Sequence, residues 1–180
     1  FGAMLYAVFA LRSAPLGALF LGGFFQQMAF LGHDLGHNAV THCRRTDDLL
    51  GHVFGNLLTG ISVAWWKRSH NVHHVVTNSI DCDPDIQHLP VMTVVADILS
   101  KTGDPDHDNG AFFSTYHEKE FDVNHPLIRL VIGVQHWLYY PIMALARWNL
   151  YAQSWILLLT RPAEVEGWWK EFAGNAGFVV

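Results

Sequence analysis

An apolar stretch that ends in two histidines constrains the fold more than any other feature of this sequence. From Pro15 to Leu31 the only polar side chains are Gln26 and Gln27, and the stretch runs directly into His33-Asp34-Leu35-Gly36-His37. About 20 apolar residues of helix cross the hydrocarbon core of a bilayer, so this stretch is near spanning length. We therefore expect a transmembrane helix that carries a histidine pair where it leaves the membrane.

Two further apolar stretches, Phe1 to Leu11 and Pro126 to Ala146, extend this membrane pattern. Charged residues make up only 15% of the 180 residues and hydrophobic residues 51%, whereas soluble proteins are about 25% charged. The Arg12–Pro15 break predicts the tight turn of a helical hairpin. We expect an all-α integral membrane protein with two to four transmembrane helices, forming one domain over residues 1–180 that is incomplete at both ends.

The second histidine cluster is His70-Asn71-Val72-His73-His74, and it places three imidazoles within five residues. Helical residues at i, i+3 and i+4 share one face, so each cluster can direct its rings at one point. Isolated histidines usually belong to a packed core, but two such clusters indicate a metal, and neutral imidazole suits Fe, Zn, Cu and Ni. The HExxH pattern of zinc proteases is absent. The predicted metal ligands are His33, His37, His70, His73 and His74.

The basic residues predict on which side of the membrane the clusters lie. Arg44, Arg45, Lys67 and Arg68 all fall between the two clusters, while Arg12 stands alone beyond the predicted span. By the positive-inside tendency both clusters face the cytosol. The net charge of −5 offers no basic patch for nucleic acid, and the two cysteines are too few for a disulfide framework.

Polar residues near the clusters are candidates for supporting them. Asp34 and Asn71 each adjoin a cluster histidine and can orient its ring through the second nitrogen. Leu49 to Trp66 predicts one apolar helix, closed by Trp65 and Trp66 as interface anchors. Its polar stripe indicates a helix that lies along the membrane surface or under the metal site, with His52 as a candidate supporting residue. The stripe consists of His52, Asn56, Thr59 and Ser62.

The remainder of the chain predicts connecting structure. Asp81 to Asp85 is an acidic turn that we interpret as capping the preceding helix rather than as a calcium loop. Lys101 to Asn124, which includes His107 and His117, predicts a solvent-exposed loop. Trp148 to Leu159 predicts an interfacial helix, and a further apolar segment begins at Trp168.

Several of these motifs together resemble the membrane-bound fatty acid desaturases, specifically the front-end group. The strongest part of the resemblance is the pair of histidine boxes at this spacing with a double tryptophan before the second. The matching segments are Gly32–His37, Trp65–His74, Asp83–Ile86 with Leu89-Pro90, Gln135–Pro141, Ala146–Trp148 and Gln153-Ser154.

The resemblance implies a fold, a cofactor and a reaction. Family members hold two iron ions in a cytosolic, histidine-rich cap and use O2 and two electrons to remove two hydrogens from an acyl chain. Here the implied ligands are His33 and His37 of box one, and His70, His73 and His74 of box two. The implied partners are the lipid bilayer, a long-chain acyl substrate and cytochrome b5 as electron donor, with the protein in the endoplasmic reticulum.

Two motifs of the front-end group are absent from this chain. The third box, QxxHH, and the HPGG motif of a fused cytochrome b5 domain do not occur. We therefore expect residues 1–180 to form an incomplete desaturase domain that is inactive alone. The alternatives are a related di-iron hydroxylase and a non-enzymatic membrane protein that binds or transports metal. A transporter should place its ionisable ligands near the membrane midplane.

Overall fold

The computed structural model describes residues 1–94, 111–116 and 118–179, and most of these residues are helical. The chain forms two compact units, which are described separately. The first unit comprises Phe1–Trp66 and Tyr151–Val180, and the second comprises Lys67–Leu150.

The first unit begins with a helical hairpin. Helix α1, Gly2–Leu5, continues as the π-helical turn Tyr6–Ala10, and helix α2 spans Ala14–Gly36. Between them Arg12 adopts a positive φ of 51°. The Ser13 hydroxyl accepts a hydrogen bond from the Leu16 N–H at 3.4 Å, which caps α2. The predicted turn at Arg12–Pro15 is therefore present.

Helix α2 is the single helix among the described residues that is long and apolar enough to cross a membrane. Its 23 residues remain largely uncovered by the rest of the chain, as expected for side chains that face lipid. Among the described residues one helix thus fits a membrane span, and the number of two to four spanning helices stays a prediction.

The predicted continuous helix from Leu49 to Trp66 is wrong. Helix α3, Arg44–Gly51, continues as the π-helical segment His52–Leu57, and helix α4, Val63–Val75, starts anew. Gly60 lies between them with a φ of +72°, a conformation that favours glycine and ends the first helix. Trp65 and Trp66 consequently lie in the first turn of α4 and not at the end of the preceding helix.

The second unit contains a β-hairpin where the sequence predicted a loop. Strands β1, Ala111–Ser114, and β2, Lys119–Asp122, pair antiparallel with Phe112 opposite Phe121. Phe112 is buried and helps form a small apolar core with Leu89, Val123 and Ile132. The all-α prediction is therefore wrong at this hairpin, because tertiary burial of one strand face overrides the polar composition. Residues 101–110, with His107, and His117 lie outside the described residues.

The last three helices differ from the predicted boundaries. Helix α5, Pro126–Gly133, stops at Val134, and helix α6, Gln135–Thr160, then continues through both the predicted Pro126–Ala146 helix and the Trp148–Leu159 helix. A short 3-10 turn, Pro162–Glu164, precedes helix α7, Trp168–Val179. The core of the first unit includes Leu157, Leu158 and Val165.

Candidate metal centre

Box one lies at the C-terminal end of helix α2, with His33 in the last turn and His37 as the residue that caps the helix. His33 and His37 are one helical turn apart, and their ring centroids lie 4.6 Å from each other in an edge-to-face arrangement. His33 Nδ1 lies 2.9 Å from a carboxylate oxygen of Asp34. A carboxylate only accepts, so this contact places the proton on Nδ1 and leaves Nε2 of His33 with its lone pair. The contact is the one that the predicted orienting role of Asp34 requires, and the role itself stays a prediction.

Trp66 packs against both rings of box one. Its ring centroid lies 5.3 Å from that of His33 and 5.3 Å from that of His37. Gly36 permits this approach, because a Cβ atom at that position would collide with the Trp66 ring. Glycine is therefore required at position 36 because the Trp66 ring packs directly against its Cα. Together these residues hold two imidazoles side by side at the end of the apolar helix.

Box two lies near the C-terminal end of helix α4, in the second unit. The Nε2 atoms of His70 and His74 are 3.0 Å apart, and the two rings are perpendicular. The ring of His73 lies 5.6 Å from each of the other two. Nitrogen ligands of one metal ion, each about 2.1 Å from it, are separated by roughly 3 Å. The His70 and His74 nitrogens thus have the spacing of ligands to a shared ion.

Asp83 fixes the orientation of His73. His73 Nδ1 lies 2.9 Å and 3.0 Å from the two carboxylate oxygens of Asp83, which is fully buried. The backbone N–H groups of Asn78 and Asp85 also donate to this carboxylate, at 2.7 Å and 2.9 Å. Because Asp83 accepts all three bonds, His73 carries its proton on Nδ1. Its Nε2 is then the atom available to a metal.

The pKa values of this pair follow from the same contacts. The hydrogen bond to Asp83 raises the pKa of His73, burial acts against this, and the nearby Asp85 charge adds to the increase. Burial alone would raise the pKa of the Asp83 carboxyl, but hydrogen bonds from His73, Asp85 and Asn78 outweigh it and hold that pKa below its usual range. In the metal-free protein both shifts favour the charged forms of the two groups, an imidazolium hydrogen-bonded to an ionised carboxylate.

A second grouping of donor atoms brings His73 together with Asp83 and Asp85, with these atoms within 4.8 Å of one another. Asp83 is already bonded to two backbone donors and the ring, whereas Asp85 is 43% exposed and its oxygen lies 3.5 Å from His73 Nδ1. A carboxylate bonded in this way acts as an orienting partner rather than as a ligand. The acidic turn predicted as a helix cap therefore supports the histidine box directly.

The other two predicted supporting residues have different surroundings. Asn71 is exposed, and no hydrogen bond joins it to a box histidine within the ranges that the structure describes. His52 lies 3.3 Å from the Asn56 amide oxygen and 3.4 Å from Glu171. His52, Asn56 and Ser62 of the polar stripe thus contact Glu171 in a polar network of the first unit, whereas the Thr59 hydroxyl donates to the Gly55 carbonyl. Asn56 donates to Glu171 and Asn175, two members of this network that the sequence pattern does not predict.

The donor set fits iron. All five candidate ligands are imidazoles, which suit iron as well as other transition metals, and acidic residues hold the Nδ1 atoms of His33 and His73. The boxes lie at the end of a helix of membrane-spanning length and in the helix that follows the α3 segment. These are the features of a helical protein with one helix of membrane-spanning length and with histidine clusters that could bind a metal ion.

The comparisons with known proteins identify the family. The family model described as "Fatty acid desaturase" matches residues 12–168. The chain is 42% identical over 160 residues to a "Delta 8-(E)-sphingolipid desaturase" of Komagataella phaffii, covering 87% of this chain and 27% of the relative. It is 38% identical over 162 residues to "Delta(8)-fatty-acid desaturase 2" of Arabidopsis thaliana, covering 88% and 34%. The chain belongs to the fatty acid desaturase family.

The matched region is only part of each relative. A "Delta 8-(E)-sphingolipid desaturase" of Emericella nidulans aligns with 98% of this chain at 35% identity but has 31% of its own length covered. The chain thus spans about a third of the curated relatives it matches. No solved structure matches the chain.

Proposed function

We propose that the protein containing this chain is an oxidoreductase that introduces a double bond into a long acyl chain. In the overall reaction a –CH2–CH2– unit and O2, with two electrons and two protons, give –CH=CH– and two molecules of water. The observation that carries the proposal is the geometry of box two, where three imidazoles cluster and Asp83 fixes the tautomer of His73. A packed core does not require that arrangement.

The box histidines are proposed as ligands of a centre that holds two irons in the complete enzyme. The ligands from this chain are His33, His37, His70, His73 and His74, and we propose that both boxes contribute to one pocket. Iron in such a centre supplies the activation of O2 that attack on an unactivated C–H bond requires. The residues of this chain orient the ligands: Asp34 and Asp83 hold two rings through Nδ1, and Trp66 covers the box-one pair.

The remaining ligands of the centre are proposed to come from the family's third histidine box, QxxHH, in the part of the full-length protein beyond residues 1–180. The missing box should leave residues 1–180 unable to turn over alone. Electrons are proposed to come from cytochrome b5. The bilayer is proposed to be that of the endoplasmic reticulum, as the family resemblance implies. The histidines are proposed to face the cytosol, because the basic residues Arg44, Arg45, Lys67 and Arg68 lie between the boxes.

The substrate is proposed to be the long acyl chain of a sphingolipid or of a fatty acid. The relatives named above carry both descriptions, and both names place the bond at Delta 8. A related hydroxylase would use the same ligands and differ in its product. The position of His33 in the last turn of α2 speaks against a transporter, since a transport path would place its ligands near the middle of a span.

Lipid analysis of yeast that expresses the full-length protein tests the proposal. The wild type should produce new unsaturated long-chain bases or fatty acids, and a hydroxylated product would favour the hydroxylase instead. His73→Ala should abolish the product, because a lost imidazole ligand alters the metal. His125→Asn is the matched control, since His125 is exposed and its ring only caps helix α5, as asparagine also can. A retained double bond in His73→Ala would show that box two is structural.

A further inference from the structure

The start of helix α4, which carries box two, is held by a side chain far away in the sequence. The Ala64 N–H donates to Glu171 Oε1 at 3.1 Å, and the Trp65 N–H donates to the Ser62 hydroxyl oxygen at 3.1 Å. The first N–H groups of a helix have no partner within the helix and need an external acceptor. Ser62 is the local cap, and Glu171 supplies the second acceptor from helix α7.

Glu171 is the centre of a buried polar network. Its other oxygen, Oε2, accepts from the Ser62 hydroxyl at 2.8 Å and from the Asn56 amide at 2.5 Å. Asn56 also donates to Asn175 at 2.8 Å, and the Ser62 N–H donates to the Ser154 hydroxyl at 3.0 Å. Glu171 is 2% exposed, and the network members Asn56, Ser62, Ser154 and Asn175 are fully buried.

Directional bonds of this kind determine where a helix begins. Apolar packing tolerates small shifts and rotations, whereas a carboxylate bonded through both oxygens to the helix start allows one arrangement. Buried carboxylates are costly unless fully partnered, and their best attested use is to specify one register among alternatives. Glu171 has a partner on each oxygen, so its bonds fix the rotation and axial position of the first turn of α4.

The first turn of α4 is itself part of the metal centre's support. Trp66, two residues after Ala64, contacts the rings of both His33 and His37. His70 and His74 follow Trp66 at intervals of four residues along α4 and share its face of the helix. A rotation of this helix start would displace Trp66 from box one and would turn the box-two rings by the same angle.

From these contacts we propose that Glu171 is a positioning residue of the metal centre. It binds no metal but holds the helix that presents box two and carries Trp66 against box one. This role rests on the proposed function, since it presumes that the boxes bind metal. Glu171 lies beyond residue 168, where the match to the family model ends.

Cobalt(II) titration of the purified, metal-free full-length protein tests this role independently of turnover. Glu171→Leu removes both acceptors, whereas Glu171→Gln keeps an oxygen for Ala64 and loses the acceptor for Asn56 and Ser62. The matched control is Glu166→Gln, whose carboxylate is 96% exposed in the same region of the chain. The measurements are the cobalt affinity, the visible absorption that reports ligand geometry, and the helix content and unfolding temperature of each metal-free variant.

The expected result is a graded loss at equal helix content. Glu171→Leu should bind cobalt roughly tenfold more weakly with an altered spectrum, Glu171→Gln should show a smaller change in the same direction, and Glu166→Gln should match the wild type. If Glu171→Leu does not fold, the cobalt affinity and spectrum of Glu171→Gln decide whether Glu171 has a positioning role. Wild-type affinity and spectrum in the folded variants, even with a lower unfolding temperature, would overturn the positioning role. A wild type that binds no cobalt would instead overturn the proposed metal centre.

Discussion

Replacing Asp83 by asparagine removes one charge from box two and leaves the shape of the side chain almost unchanged. In the wild type, Asp83 accepts from His73 Nδ1 and from the N–H groups of Asn78 and Asp85. Asparagine has one acceptor oxygen and one NH2 group, so at least one donor must face another donor. One backbone N–H then loses its acceptor in either orientation of the amide, and where the asparagine NH2 also faces His73 it donates to the ring and forces the ring proton onto Nε2.

Both outcomes have a predictable size. A buried donor left without a partner costs about 1–3 kcal/mol of stability. A proton on Nε2 of His73 removes the lone pair that binds metal, and changes to such orienting partners typically reduce metal affinity by about 10–100-fold. We therefore expect Asp83→Asn to lower the unfolding temperature of the metal-free protein and to weaken metal binding by at least roughly tenfold.

The assay is metal titration of the purified full-length protein, with thermal unfolding measured on the metal-free form. Asp85→Asn is the control, because Asp85 is 43% exposed and its closest approach to His73 is 3.5 Å. It should weaken binding much less than Asp83→Asn. Equal losses in the two variants would indicate that both carboxylates are ligands. Wild-type affinity in Asp83→Asn would refute the assignment of Asp83 as the partner that fixes His73.

Two further predictions concern packing and pH. Gly36→Ala should destabilise the protein by about 1–3 kcal/mol, since the added methyl group collides with the Trp66 ring. Gly32→Ala is the control, because a Cβ atom there has no neighbour within 4 Å. In the same unfolding assay it should be neutral or stabilising by up to about 1 kcal/mol. Folding raises the pKa of His73 above 6.5, so the resulting stabilisation is complete below pH 6.5 and is lost as the pH rises through the pKa of the folded state. Folding lowers the pKa of Asp83 below 3.8, so its stabilisation is complete above pH 3.8 and is lost as the pH falls through the pKa of the folded state. Asp83→Asn should therefore lower the unfolding temperature of the metal-free protein more at about pH 5.5 than at about pH 8, and an equal effect at both would contradict the pair.

The sequence predicts best those features that depend on local spacing. The span Pro15 to Leu31 lies inside helix α2, Ala14–Gly36, because a long apolar run forms a helix whatever its neighbours. The histidine boxes lie on helices, so residues three and four apart share a face as expected. Asp34, which is next to His33 in the chain, also has the predicted contact with the ring.

The features that the sequence did not predict depend on partners distant along the chain. Asp83 reaches His73 across ten residues and a turn, and Glu171 reaches Ala64 across 107 residues, so neither pairing follows from periodicity. The sequence predicts the polar stripe that contains Asn56 but does not predict its partners Glu171 and Asn175. The sequence pattern does not predict the helix break at Gly60, because the apolar pattern continues on both sides of that single residue with a positive φ. A Gly-Ile-Ser sequence before Val63 was the available signal, since serine often precedes the first turn of a helix.

The iron content of the purified full-length protein tests the central claim most directly. We expect about two irons per molecule of the full-length wild type and a clear loss of iron in both His33→Ala and His70→Ala, one from each box. His125→Asn should keep the full iron content. A protein that retains its iron in either box variant, or that carries zinc in place of iron, would contradict a shared iron centre built from both boxes.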